Sequence, residues 1–279
     1  MDILEELCAR RRADAEAAAR ETPYAALMER IASLPAPRDV CAAFAGPGLH
    51  VIAELKRASP SEGLIRAAFD PPALARAYAA NGAAAISVLC EPHRFLGGEA
   101  HLRAARAAVA TPLLYKDFLT TDYQVTAARA AGADFCLLIA AALDDATLAR
   151  LLARVRALGF TALVETHTAE EIRRAVQAGA RMVGVNCRDL RTFRTDPART
   201  AALVAQIPSG VVRIGESGIK THDDLLRIRS AGADGFLVGT TLMRAPDPGA
   251  RLRALLGGDA PAPLASPEPL SYCFGNERG

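Results

Sequence analysis

The chain has no tryptophan, and aromatic side chains make up only 5% of its 279 residues. Stacking platforms interleaved with basic residues, the usual grip on single-stranded nucleic acid, are therefore missing. A formal net charge of +2 is too small to draw the protein to nucleic acid or to an anionic membrane surface. No apolar run approaches the roughly 20 residues of a membrane span. The opening MDILEELCARRR lacks the apolar core of a signal peptide. Six cysteines stand alone at positions 8, 41, 90, 136, 187 and 273, with no C-x-x-C pair. Neither a zinc site nor a disulfide framework fits that spacing, so the expectation is a cytoplasmic protein with reduced thiols and no metal. Lysine is scarcest of the charged residues. Of 33 basic residues only Lys56, Lys116 and Lys220 are lysines. Arginine cannot release a proton near neutral pH, whereas a desolvated lysine can serve as acid or base. Where lysine survives in this chain, chemistry is the first suspicion.

What is present begins with hydrophobic residues at 51% and a length that suits one α/β barrel of about 250 residues. The pattern of Gly-Ala followed by an apolar strand recurs as NGAAAISVL (81–89), AGADFCLLI (131–139), AGARMVGVN (178–186) and AGADGFLVG (231–239). Such a repeat, each glycine fitting a helix C-terminus, marks paired strand–helix units. LHVIAELK, TPLLYKDF, FTALVETH and VVRIGESG fall between as four further strands. Eight strands alternating with helices predict a single (β/α)8 barrel, a TIM-barrel α/β fold, over residues 1–256. Helices at about residues 2–34 precede it as a lid or base cap, and Pro35-Ala36-Pro37 ends them. Helix starts are marked by Asp70-Pro71, by Thr168 with Glu171, by Thr221 with Asp224 and by Asp247-Pro248. The Pro/Ala-rich stretch 257–279 reads as a flexible tail.

Strand ends carry the chemistry. In VIAELKRASPSEG (51–63), alternation puts Ile52, Glu54 and Lys56 on one face. By the same parity Lys116, Glu165 and Glu216 end the third, fifth and seventh strands facing inward, and the sixth adds Asn186 and Arg188. A barrel layer normally holds branched apolar residues, so titratable groups converging at its C-terminal mouth are the signature of a site. A buried ion-pair network is the structural alternative, weakened because desolvation offsets its attraction. Gly-rich turns follow strands seven (Glu216-Ser217-Gly218) and eight (Gly239-Thr240-Thr241), where barrels commonly bind phosphate. His167 is read as a solvated loop residue, Lys220 as a surface residue, Tyr115 as packing outward on a helix and Cys187 as a small buried hydrophobe.

Seven motifs in order, ELKRASPSEG, SVLCEPHRFLGG, LLYKDF, LVETH, GVNCRDL, ESGI and FLVGTTLM, closely resemble the indole-3-glycerol phosphate synthase family of tryptophan biosynthesis. The resemblance runs from the N-terminal helices to about Leu256. It implies a carboxy-lyase that closes 1-(2-carboxyphenylamino)-1-deoxyribulose 5-phosphate to indole-3-glycerol phosphate with loss of CO2 and water. It further implies Lys116 as general acid, Lys56 as holder of the substrate carboxylate and second proton donor, and Glu165 as the partner for dehydration. Glu54 and Asn186 position these groups, while Glu216, Arg188 and Phe95 contact the sugar and anthranilate edges. Ser59, Ser217, Gly218, Gly239 and Thr240 match positions around the phosphate. The reaction implied needs no cofactor, and the only partner implied is the small phosphorylated substrate, with no obligate protein partner. Tyr115, Cys187 and Thr240-Thr241 depart from the family's usual residues, all outside the charged layer. Competing readings are phosphoribosylanthranilate isomerase, a Schiff-base lysine enzyme and a silent scaffold barrel. The isomerase wants a Cys/Asp pair that these strand ends lack, and a scaffold predicts gaps in the charged layer.

Overall fold

Short apolar runs bounded by Gly, Pro and N-capping residues become strands, and the segments between them become helices. The computed structural model describes residues 3–187 and 197–258. Its eight barrel strands are β1 (Val51–Leu55), β2 (Ala85–Leu89), β3 (Leu113–Lys116), β4 (Phe135–Ile139), β5 (Thr161–Thr166), β6 (Met182–Asn186), β7 (Val212–Glu216) and β8 (Gly235–Val238). All neighbours pair in parallel and the sheet closes in the order β1-β8-β7-β6-β5-β4-β3-β2. The predicted (β/α)8 barrel is the observed fold.

Both faces of each strand are covered, which is why the strands read as continuous apolar runs. Outward residues such as Val51, Val88, Leu138 and Val164 pack beneath the helices. Inward residues such as Ile52, Leu114, Phe135, Leu163 and Ile214 fill the barrel. The repeat glycines Gly82, Gly132, Gly179 and Gly232 take φ of 89°, 95°, 86° and 100°, the left-handed turn that carries each helix into the next strand. Caps sit where the sequence placed them: Asp70, Thr168, Thr221 and Asp247 each accept a backbone N–H of the first helical turn.

The two ends of the barrel close differently. At the base, a 3-10 turn (Ala42–Phe44) drives Phe44 between the strand starts. Gly235 leaves it room: a Cβ there would lie 2.4 Å from the ring. At the mouth lies α1 (Ile3–Glu21), the first of the N-terminal helices. Arg11 of α1 donates from Nε (2.9 Å) and Nη2 (2.6 Å) to the buried carboxylate of Asp117, one residue past β3. The second helix, α2 (Tyr24–Ala32), packs on α5 (Asp122–Ala130) at the barrel's side. The lid-or-base alternative therefore resolves to a lid, with the base closed by another segment. No described helix is long and apolar enough to cross a membrane. The expected tail lies outside the described residues from 259 onward.

Candidate active site

Strand parity delivers five charged side chains to one cavity of about 820 Å³ at the C-terminal mouth. From β1, the Glu54 carboxylate meets the Lys56 ammonium at 2.8 Å. From β3, Lys116 Nζ lies 3.3 Å from Glu165 Oε2 of β5 and 3.6 Å from Glu216 Oε2 of β7. Asn186, ending β6, donates from Nδ2 to Glu165 Oε1 at 3.1 Å and accepts the Ser217 hydroxyl on Oδ1 at 2.7 Å. Glu54, Glu165 and Glu216 are all buried.

Two glycines make the cluster sterically possible. A Cβ on Gly184 of β6 would lie 2.1 Å from Glu216 Oε1, and one on Gly239 would lie 2.0 Å from Glu54 Oε2. Gly239 thus makes space for the Glu54–Lys56 pair as well as lining the cavity beside Thr240.

Burial opposes charge on every member, so neighbours decide who stays ionised. Burial pushes Glu54 up, but Lys56 and Lys116 outweigh it and hold the carboxyl below its ordinary value. Glu165 likewise ends lowered, through Lys116, His167 and the Asn186 hydrogen bond. Desolvation disfavours the Lys116 ammonium, yet Glu216, Glu165 and Glu54 together raise it above the ordinary lysine value. Glu216 goes the other way. Burial and the charge of Glu165 exceed the help from Lys116 and push it up to about 8. Its Oε1 has no hydrogen-bond partner. At neutral pH this mouth holds an ammonium donor, an ionised carboxylate and a neutral carboxylic acid within one reaction radius.

One side of the cavity is uncharged. Phe95, in the loop after β2, lines it with Phe118, the ring centroids 6.1 Å apart, and Leu4, Leu7, Leu137 and Ile139 join them. The Phe95 loop is wound on the buried carboxylate of Glu91, which accepts the backbone N–H of His93, Arg94 and Phe95 at 2.7–2.9 Å. The opposite side is the turn Ser217-Gly218, with φ of 64° and 75° in succession, together with Gly239-Thr240. Ser217 is one of two non-glycine residues at positive φ among those described, strain of the sort that gathers at ligand sites. Thr241 Oγ1 donates to the Ile219 carbonyl at 2.6 Å and ties the two turns together.

Glu54, Lys56, Ser59, Phe95, Lys116, Glu165, Asn186, Glu216, Ser217, Gly218, Gly239 and Thr240 all line this single cavity. Arg188 lies outside the described residues. Tyr115 and Cys187 pack in the outer shell, as their parity implied. Lys220 is exposed, at the cavity's rim. His167 is a correction. Far from being a solvated loop residue, it is largely buried and lines the cavity, Nε2 3.6 Å from Glu165 Oε1. The two-residue step from Glu165 keeps it on the inner face, and the same step from Lys116 delivers Phe118. Glu91 carried no such signal, since its role depends on how the loop folds back. Among the described residues no group of three His, Cys, Asp or Glu is arranged to hold a metal ion.

A closed parallel barrel with mixed acids and ammonium groups at its C-terminal mouth defines an acid–base enzyme of the TIM-barrel class. Solved structures agree on the fold: 3-hexulose-6-phosphate synthase from Salmonella typhimurium has a TM-score of 0.61 at 15% identity, covering 75% of this chain and 97% of that one. Orotidine 5'-phosphate decarboxylase from Pyrococcus horikoshii follows with a TM-score of 0.57 at 14% identity, over 74% and 97%. The family model for indole-3-glycerol phosphate synthase matches residues 4–255. The indole-3-glycerol phosphate synthase of Micrococcus luteus is 50% identical over 259 residues, 91% of this chain and 97% of that protein. Its counterpart from Parafrankia sp. is 50% identical over 248 residues, 89% and 92% of the two chains. The chain belongs to the indole-3-glycerol phosphate synthase family.

Proposed function

We propose that this chain closes 1-(2-carboxyphenylamino)-1-deoxyribulose 5-phosphate to indole-3-glycerol phosphate, releasing CO2 and water, with Lys116 as the general acid. The observation that carries the reading is Lys116 Nζ seated between Glu165 and Glu216, at 3.3 and 3.6 Å, in a cavity that also holds the Glu54–Lys56 pair. Membership of the family supplies the substrate; the geometry supplies the roles.

The aromatic carbon bearing the carboxylate attacks the ribulose carbonyl, and Lys116 protonates the carbonyl oxygen as it becomes a hydroxyl. Positive charge builds on the anilino nitrogen, where the ring of buried carboxylates stabilises it. CO2 leaves with its bonding pair returned to the ring. The new hydroxyl departs as water after a second proton reaches it, and Glu165 removes the proton from the adjacent carbon to complete the indole. Two protons go to oxygen and one leaves carbon; the difference is the negative charge lost with the carboxylate. Lys56, 2.8 Å from Glu54, pairs with the substrate carboxylate and is the candidate second donor. Glu216, neutral up to about 8, can return a proton to Lys116 across 3.6 Å. The aromatic ring rests against Phe95 and Phe118, and the phosphate sits at Ser217-Gly218 and Gly239-Thr240, with Ser59 and Arg188 as further contacts. An imine-forming lysine would have to be neutral, and the carboxylates around Lys116 hold it charged. A cytoplasmic setting belongs to the same reading, supported by five free cysteines among the described residues.

The test is the fluorescence assay for indole-3-glycerol phosphate with purified protein. Absence of product overturns the reading. A substrate lacking its phosphate is expected to bind far more weakly; equal binding removes the two Gly-rich turns from the account.

A further inference from the structure

His167 belongs to none of the roles above, yet it is built into the site from two sides. Its Nδ1 lies 3.4 Å from Glu171 Oε2, and its Nε2 is buried without a hydrogen-bond partner and faces Glu165 Oε1 at 3.6 Å. Glu171 is fixed in turn. Its Oε2 accepts the His167 backbone N–H at 2.8 Å, and its own N–H donates to the Thr168 hydroxyl at 3.1 Å, in the first turn of α7 (Ala169–Gln177). A neutral imidazole has one N–H and can satisfy one of two flanking carboxylates; an imidazolium satisfies both.

We propose that His167, as an imidazolium held by Glu171, is a positioning residue that keeps Glu165 ionised and aimed between Lys116 and Asn186. This deepens the proposed function and rests on it for the role of Glu165. The surroundings favour the charged ring. Glu165 of β5, Glu171 of α7 and Glu216 of β7 face it, and the nearest competing cation within the cluster, Lys116 of β3, lies on the far side of Glu165. From α8 (Pro197–Val204), Arg199 meets only the His167 carbonyl, at 3.1 Å. Burial and the positive end of α7 work against the charge, but the carboxylates exceed them and raise the ring above its ordinary value. The consequence reaches the acid–base pair. Glu165 receives Lys116, Asn186 and His167, while Glu216 shares Lys116 alone, so one shared proton is driven onto Glu216.

Two measurements test this. In protein with 15N-labelled histidine, assigned with a His167→Asn variant, His167 should titrate above 6.5 and fall when Glu165→Gln removes the facing carboxylate. A titration unmoved in Glu165→Gln overturns the contact, whatever the enzyme's activity. In the indole-3-glycerol phosphate assay, His167→Asn should shift the acid limb of kcat/KM to higher pH by about 1 unit, the scale of a lost neighbouring charge on a carboxylate. Lower activity with an unshifted acid limb would make His167 merely structural and overturn the proposal. Absence of product in the unaltered protein would sink the proposed function instead, leaving the NMR result to stand or fall separately.

Discussion

Three carboxylates, Glu54, Glu165 and Glu216, face two ammonium groups, Lys56 and Lys116, and the surplus negative charge is removed by a proton. That proton rests on Glu216, whose Oε1 has no partner and whose side chain is 2% exposed. The sign of its effect on stability follows. The unfolded chain releases this proton near 4.5 and the folded one near 8, so between these values the native state binds more protons. Stability contributed by Glu216 is therefore complete below 4.5 and declines as pH rises toward about 8. Glu216→Gln removes the dependence: its Tm relative to the unaltered protein should climb across that window and level off above it. A difference that stays constant with pH would return the proton to another group. For Lys116→Ala we expect kcat to fall at least ~100-fold, the low end for a general acid, with KM little changed. Near-normal turnover would reassign the acid. The identities in this cluster were legible because strand parity is rigid: residues 54 and 56, like 165 and 167, must share a face. Which of two facing carboxylates keeps a proton was not legible, since it depends on Gly184 opening space opposite Glu216 and on where the amide of Asn186 points.

At the scale of elements, the lid is attached by charge more than by apolar burial. Of the 19 residues of α1 only Leu7 and Cys8 are fully buried, although Ile3 and Leu4 join Leu7 in lining the cavity. The helix is held by Arg11 on Asp117, by Asp14 on His93 Nε2 at 2.7 Å and by Glu6 on Arg94 at 3.0 Å. These ties reach the loops after β2 and β3, which carry Phe95 and Phe118. An apolar stripe is what periodicity detects, and α1 scarcely has one, so its place over the mouth could not be read from the sequence. The strands could be, because each buries both faces. Removing Arg11 leaves the Asp117 carboxylate buried without its partner. Arg11→Ala should cost about 3 kcal/mol in urea unfolding, typical of breaking a buried pair. It should also raise KM more than it lowers kcat, since the lid shapes the pocket and touches no reacting atom. A fall in kcat alone, with KM and stability intact, would show that α1 does something other than hold these loops.

Taken whole, the barrel separates its labours along its axis. Polar side chains gather where the strands end; where they start, Phe44, Val40 and Ala85 pack to near-complete dryness. The recurring Gly-Ala-strand unit made the closed barrel legible, because it fixes how many strand–helix pairs exist and where each turn falls. The plug beneath was illegible: CAAFAGPG carries no period, and Phe44 matters only because Gly235, nearly 200 residues later, lacks the Cβ that would occupy its place. If the two ends are energetically independent, a lesion at the base should act on folding alone. Phe44→Ala deletes a ring that is 4% exposed, and comparable core truncations cost about 3–5 kcal/mol. Its kcat/KM, measured where circular dichroism reports a fully folded variant, should match that of the unaltered protein, because eight strands of rigid ladder lie between the plug and the lysines. Lys116→Ala should do the reverse, losing turnover without losing stability, since it relieves a desolvated charge as it removes one. A folded Phe44→Ala protein with impaired turnover would mean that base packing sets the spacing of Lys116 and Glu165, and the division between a stabilising end and a reacting end would have to be abandoned.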